Sequence, residues 1–299
     1  MKSVLPLLIV MSFCRIAATA EGQEIPSQAS LTVDLQVASL PAFEGTEAGE
    51  AKELVPGIVF HWCPPGTFQM GTPKTIDTST SNEGQVNVTL TSGFWIAETE
   101  VTQGQWQKFM GTTPWKGGKF AKEGDEYPAN YLHYDDAVAF CKEMTNQERD
   151  AKRLPAGWKY SLPTEAQWEY ACRAGTKTKF SFGDDESKLS EYGWWGSDYG
   201  DGNAKGEKYA HRVGQKNANP WGLKDIHGNV WEWCIDFYGD KLSGGQDPTG
   251  PAASRNRILR GGGFSGFADD CRSARRVGSR QPGSSRSQTY GFRFAAVRE

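Results

Sequence analysis

Leu162-Pro-Thr-Glu-Ala-Gln-Trp-Glu-Tyr170 is the stretch on which the reading of the fold turns. Thr164 and Gln167 form a capping box, in which the threonine hydroxyl takes the glutamine amide and the glutamine side chain reaches back to the threonine amide. This predicts a helix opening at Thr164 and running through Cys172. Thr102-Gly-Gln-Gln105 repeats the device and predicts a helix through Met110. Asp135 or Asp136 can cap a third helix to about Gln147, with Ala137, Phe140, Cys141 and Met144 on one apolar stripe. Trp106, Phe109, Trp168 and Tyr170 read as core residues of these helices. Elsewhere short apolar runs are broken by Gly, Asn, Asp and Pro, and Val86–Leu90, Phe94–Ala97 and Gly291–Val297 read as strands. The fold class expected is α+β, loop-rich, with short strands and a few helices.

Composition agrees with that picture. The 299 residues include 35 Gly, 15 Pro and 11 Trp, and 12% are aromatic, too many for a disordered chain. The formal charge of −3 argues against generic binding to nucleic acid or to an anionic membrane, both of which need a basic face. Lys2, the apolar run Val4–Phe13 and Ala18-Thr19-Ala20 read as a secretory signal over residues 1–20, too short to remain as a spanning helix. Residues 21–53 read as a flexible leader, with a possible strand at Leu31–Leu40, and 54–299 as one domain. A secreted or periplasmic protein without a membrane span is expected. Cleavage would leave Cys63, Cys141, Cys172, Cys234 and Cys271, an odd number that allows at most two disulfides. His61, His133, His211 and His227 are scattered, and neither the cysteines nor the histidines show metal-ligand spacing.

Read in order, Gly66-Thr-Phe-Gln-Met-Gly71, Phe94-Trp-Ile-Ala-Glu-Thr-Glu-Val-Thr102, Leu162–Tyr170, Asn219-Pro-Trp-Gly-Leu223, Gly228-Asn-Val-Trp-Glu-Trp-Cys234, Arg260-Gly-Gly262, Cys271-Arg-Ser-Ala-Arg275 and Gly291-Phe-Arg293 resemble the formylglycine-generating-enzyme, or sulfatase-modifying-factor, family. The resemblance covers roughly residues 54–299 and implies a C-type-lectin-like fold stabilised by calcium. It also raises the family's oxidation of a sulfatase cysteine to formylglycine, which uses oxygen and copper held by two cysteines. A soft Cu(I) ion wants two converging thiolates. Matched by position, the loop after Arg260 places Gly263 where the family has Ser, Gly266 at the first copper cysteine, Phe267 at the following His and Cys271 at the second cysteine. The resemblance therefore implies a dismantled copper site, with copper not expected and Cys271 the one candidate catalytic side chain.

The same matching places the expected disulfide partners of Cys141 and Cys172 on Phe294 and Arg276, so those two read as buried thiols or re-paired cysteines, and Cys234 with Cys271 is a candidate pair. The family's calcium site carries over as the side chains of Asp225 and Glu232 with the carbonyls of Gly228 and Val230, against the alternative that the two acids only cap or salt-bridge. Asp198, Asp201 and Asn203 are candidates for a second ion. The ligand groove implied lies beside Trp231 and the loop of Gly263, Gly266 and Phe267. Arg272, Arg275, Arg276, Arg280, Arg286 and Arg293 could line a groove for an acidic ligand or serve structure by pairing with carboxylates. Asn87-Val-Thr89 is a glycosylation sequon. The expected function is a calcium-stabilised binding or accessory module for a peptide or protein ligand, with a sulfatase as one class of partner. The alternatives are true formylglycine generation, or a family oxidase with different metal chemistry.

Overall fold

The computed structural model describes residues 43–73, 82–198, 202–280 and 286–299. The signal-like segment, most of the leader with its Leu31–Leu40 strand, and Asp201 lie outside the described residues. In chain order the strands and helices are β1 Ala51–Val55, β2 Ile58–Cys63, β3 Gly66–Met70, β4 Val86–Leu90, β5 Phe94–Ala97, α1 Gln103–Met110, α2 Tyr134–Asp150, β6 Trp158–Ser161, α3 Glu165–Arg173, α4 Leu189–Tyr192, β7 Trp231–Phe237, β8 Gly245–Gln246, β9 Asn256–Arg260, β10 Arg276–Arg280, β11 Tyr290–Gly291 and β12 Ala295–Arg298. This is an α+β fold of short strands and few helices, as its sequence implies.

Both threonine capping boxes are formed: Gln105 N donates to Thr102 Oγ1 at 3.2 Å and Gln167 N to Thr164 Oγ1 at 3.1 Å, each with the reciprocal bond from the threonine amide. The third helix begins two to three residues earlier than a cap at Asp135 or Asp136 implies. His133 occupies the cap position, and Asp136 serves as the third helical residue, accepting the His133 amide at 2.9 Å. The strand expected over Gly291–Val297 is divided. Phe292, Arg293 and Phe294 leave the ladder, so β11 pairs with β7 while β12 pairs with β5 and β6.

The strands form a five-stranded sheet ordered β1-β2-β5-β12-β6, a four-stranded sheet ordered β10-β9-β7-β11 and a three-stranded sheet ordered β3-β4-β8. The apolar stripe of α2 packs on the first sheet, where Phe140 meets Phe292 and Phe294 edge-on and stacks on Trp106 at 5.6 Å between centroids. Helix α2 also closes the free edge of β6. The Tyr160 amide donates to Thr145 Oγ1 at 2.9 Å, and Arg149 Nη2 donates to the Trp158 carbonyl at 2.9 Å. That leaves less of the strand edge open to pairing with another chain.

Charged groups hold α3 to the second sheet. The buried Arg260 bridges Glu165 at 3.0 Å and Glu169 at 2.8 Å, and the buried Arg276 pairs with Glu165 at 2.6 Å. Of the arginines in the C-terminal third, Arg272, Arg276 and Arg293 are buried in ion pairs, which favours their structural reading. The candidate disulfide Cys234–Cys271 is not formed. All five described cysteines are free and buried. Cys234 packs in one apolar cluster with Trp168 and Ile258, whereas Cys271 packs in another with Phe180 and Leu189. Packing separates the two thiols into different clusters, so their shared position late in the chain brings no covalent link.

Candidate functional site

Two adjoining pieces make up the site: the turn from Asp225 to Val230, which leads into β7, and the loop from Arg260 to Cys271, which leaves β9. In the first, Asp225 and Asn229 both take left-handed backbone angles, φ 57° and 60°. Such angles are uncommon outside glycine. Between them Gly228 has φ 142°, and a Cβ there would collide with the Trp194 carbonyl. The turn is tight and is held at both ends. The Asn229 amide donates to the Trp194 carbonyl at 2.9 Å, and Asn229 Nδ2 donates to Glu100 Oε1 at 3.1 Å.

Three carboxylates gather around this turn: Glu100, Asp225 and Glu232, all buried. Glu232 takes the Arg293 guanidinium through both oxygens at 2.7 Å and the Trp168 indole N–H at 2.7 Å. Asp225 Oδ2 accepts the Gly214 amide, while its Oδ1 and Glu100 Oε2 are buried with no hydrogen-bond partner. Burial pushes Asp225 up to about 6, and burial, reinforced by Asp225 and Glu232, holds Glu100 well above the usual carboxylate range. Among the described residues no three His, Cys, Asp or Glu side chains converge as a metal cage. An ion here would need main-chain carbonyls as well as carboxylates. The two orphaned carboxylate oxygens and the excess of buried acid over guanidinium fit a hard cation, for which oxygen donors are the matching ligands. Glu100 was not singled out by sequence, because no spacing links it to a turn more than a hundred residues away. Asn203, a candidate for a second ion, spends its side chain within the protein: Oδ1 accepts the Trp195 amide at 3.1 Å and Nδ2 donates to the Ser190 and Gly193 carbonyls.

The loop from Arg260 is pinned to the same turn, since the Phe264 amide donates to the Asn229 carbonyl at 2.8 Å. Gly263 lies against the half-buried Trp231 indole, so close that a Cβ would sit 3.2 Å from Cδ1. Gly266 closes a turn on Gly263, with its amide 3.0 Å from that carbonyl, and Phe267 follows with 47% of its surface exposed. The structure thus places Trp231 and Gly263 in contact, with Gly266 and Phe267 on the same loop. Cys271 turns the other way. Its thiol is fully buried, 3.8 Å from the Phe267 carbonyl, and burial pushes it far above an ordinary thiol. His227 braces this inward turn, with Nδ1 2.8 Å from the Cys271 carbonyl and Nε2 accepting the Ser181 amide at 3.1 Å. The Ser181 contact assigns the ring proton to Nδ1, and burial lowers the ring to about 4, so the imidazole is neutral.

Comparison with known proteins bears on the fold. The family model described as a sulfatase-modifying factor enzyme 1-like domain matches residues 46–298. The chain is 30% identical over 224 residues to the chaperone protein LppX of Paenibacillus barcinonensis, a match that covers 62% of this chain and 74% of that one. It is 32% identical over 182 residues to the formylglycine-generating enzyme of Mus musculus, covering 57% of this chain but 44% of the enzyme. Among solved structures it superposes on Treponema denticola variable protein 1 with a TM-score of 0.68 and 29% identity, over 82% of this chain and 98% of that one.

Proposed function

The chain belongs to the sulfatase-modifying-factor family, and from that premise we propose that it is a calcium-stabilised member without the copper oxidase chemistry, a binding or accessory module for a peptide or protein ligand. The observation that carries the reading is the donor set of the Arg260–Cys271 loop. Gly266, which we assign to the place of the first copper cysteine, has no side chain to ligate an ion. Cys271 is packed into an apolar cluster with its thiol held protonated by burial. Cys234, the other thiol on β7, is buried in a different cluster. One inward-facing thiol does not fit a two-thiolate copper site.

The calcium fit is better. Glu100 and Asp225 would offer their orphaned oxygens, with Glu232 and the Gly228 and Val230 carbonyls completing the set. A bound cation there would neutralise buried negative charge and fix the turn that carries Trp231. The ligand would lie along Trp231, Gly263, Gly266 and Phe267, where an exposed phenyl ring and a half-buried indole offer apolar contact. The chaperone named among the relatives supports an accessory role, with a sulfatase as one class of partner. We place the protein outside the cytoplasm on the signal-like pattern of residues 1–20. None of the described helices is long and apolar enough to cross a membrane.

Incubation of the purified protein with a cysteine-containing sulfatase peptide, copper and oxygen tests the reading. Mass spectrometry should show the peptide unchanged and metal analysis should show calcium. Formylglycine in the peptide, or stoichiometric copper or iron in the protein, would refute it.

A further inference from the structure

Away from this groove, a cavity of about 170 Å³ opens between β3, the end of α3 and the Asn219–Leu223 turn. Three aromatic rings line it. Phe68 and Tyr170 lie 5.0–5.1 Å from their neighbours in the series Phe68–Tyr170–Trp221, with planes inclined at 51° and 74°. A dry cavity of about 150 Å³ is enough to hold a benzene ring, so this space admits one six-membered ring. Tyr170 is only 8% exposed, and its ring packs against both of the other two.

The cavity adjoins a second, far smaller niche of about 10 Å³, room for one water-sized group. Arg173 and Lys177 line both spaces, and Lys179 and Arg272 also border the niche. Among the described residues no acidic side chain lines either one, in a protein whose formal charge is −3. The Arg173 guanidinium already serves Glu169 and the Gly71 and Thr178 carbonyls. Lys177 is exposed and, like Lys179 at the niche, has no ion partner among the described residues; Lys177 borders both spaces, so its charge is the one within reach of a ligand in the cavity.

We propose that these two spaces form a second ligand site, separate from the Trp231 groove, for a six-membered aromatic ring bearing a carboxylate. The ring sits among Phe68, Tyr170 and Trp221, and the carboxylate lies towards Lys177 and the cationic niche. Both a free aromatic acid and the C-terminal aromatic residue of a peptide present this chemistry. The site does not depend on the oxidase or accessory reading of the Trp231 groove.

The test uses the whole protein with 3-phenylpropanoate, which spaces a ring and a carboxylate as a C-terminal phenylalanine does. Saturation-transfer NMR and calorimetry should detect binding. Replacing the acid with 3-phenylpropanamide, or the protein with Lys177→Gln, should weaken it about three- to fivefold, the scale of an exposed ion pair. Trp221→Leu, checked for native circular dichroism, should weaken it about tenfold. A pentapeptide ending in Phe that binds more tightly than the free acid, and loses that advantage as its amide, assigns a chain terminus. Tighter binding of the free acid assigns a small molecule. Absence of binding, equal binding of acid and amide, insensitivity to both variants, or displacement of the acid by glucose would overturn the proposal.

Discussion

Asp236 shows how burial, helped by the neighbouring Glu165 charge, can give a single residue a sign in the pH dependence. It is buried, its Oδ2 accepts the Glu165 amide at 2.7 Å, and burial raises its carboxyl to about 7. In the folded protein it therefore keeps its proton up to neutral pH, whereas in the unfolded chain it ionises near 4. Between those values the folded state holds more protons, so the stability due to this group falls as pH rises from about 4 to about 7. Asp236→Asn keeps an acceptor for the Glu165 amide and removes the titration. Melting temperatures of this variant across pH 4–8 should lose that downward slope and exceed those of the parent at pH 8. At the same scale, Gly228→Ala should fail to reach the native state, because a methyl group meets the Trp194 carbonyl in a backbone conformation that already disfavours it. Soluble expression and circular dichroism report the outcome.

Thr145 acts at the scale of elements. Its hydroxyl accepts the Tyr160 amide of edge strand β6 while standing on α2, 2.9 Å from the Cys141 carbonyl. Thr145→Val keeps the shape and leaves a buried strand amide without a partner. Chemical denaturation should show a loss of about 1–3 kcal/mol, and light scattering during refolding should rise because the edge is less guarded. The elements themselves were legible in the sequence to different degrees. Helices α1 and α3 announce themselves through capping boxes, a local chemistry that needs no partner from elsewhere. Strands β4 and β5 have the bounds that their apolar runs imply. The sequence implies one strand over Gly291–Val297 because Phe292, Arg293 and Phe294 look like strand residues. Arg293 instead leaves the ladder to meet Glu232, sixty-one positions away in sequence. The site divides along the same line. The contact of Trp231 with Gly263 follows from short segments on neighbouring strands. Glu100, the inward turn of Cys271 and the aromatic cavity around Tyr170 arise from long-range packing that leaves no spacing signal.

Across the whole molecule, the buried acids Glu100, Asp225 and Glu232 make a prediction about metal. If calcium holds this turn, a chelator should lower the melting temperature, and protein kept at a hundredfold excess of calcium over its Kd should lose about 2.7 kcal/mol. Glu100→Gln resembles the protonated acid that burial favours, so the metal-free variant should melt close to the metal-free parent but lose most of the calcium-induced rise. The five unpaired cysteines connect the separate regions of the fold in another way. Cys141 lies on the core-facing side of α2, Cys63, Cys172 and Cys234 in the cluster around α3, and Cys271 at the buried end of the functional loop. Each is buried and reduced, hence silent towards alkylating reagents while its surroundings stay closed. The chain thus carries its own set of clocks. In pulsed alkylation followed by peptide mapping, the order in which the thiols acquire label should record which region opens first, and a ligand of the loop should slow the Cys271 clock ahead of the others.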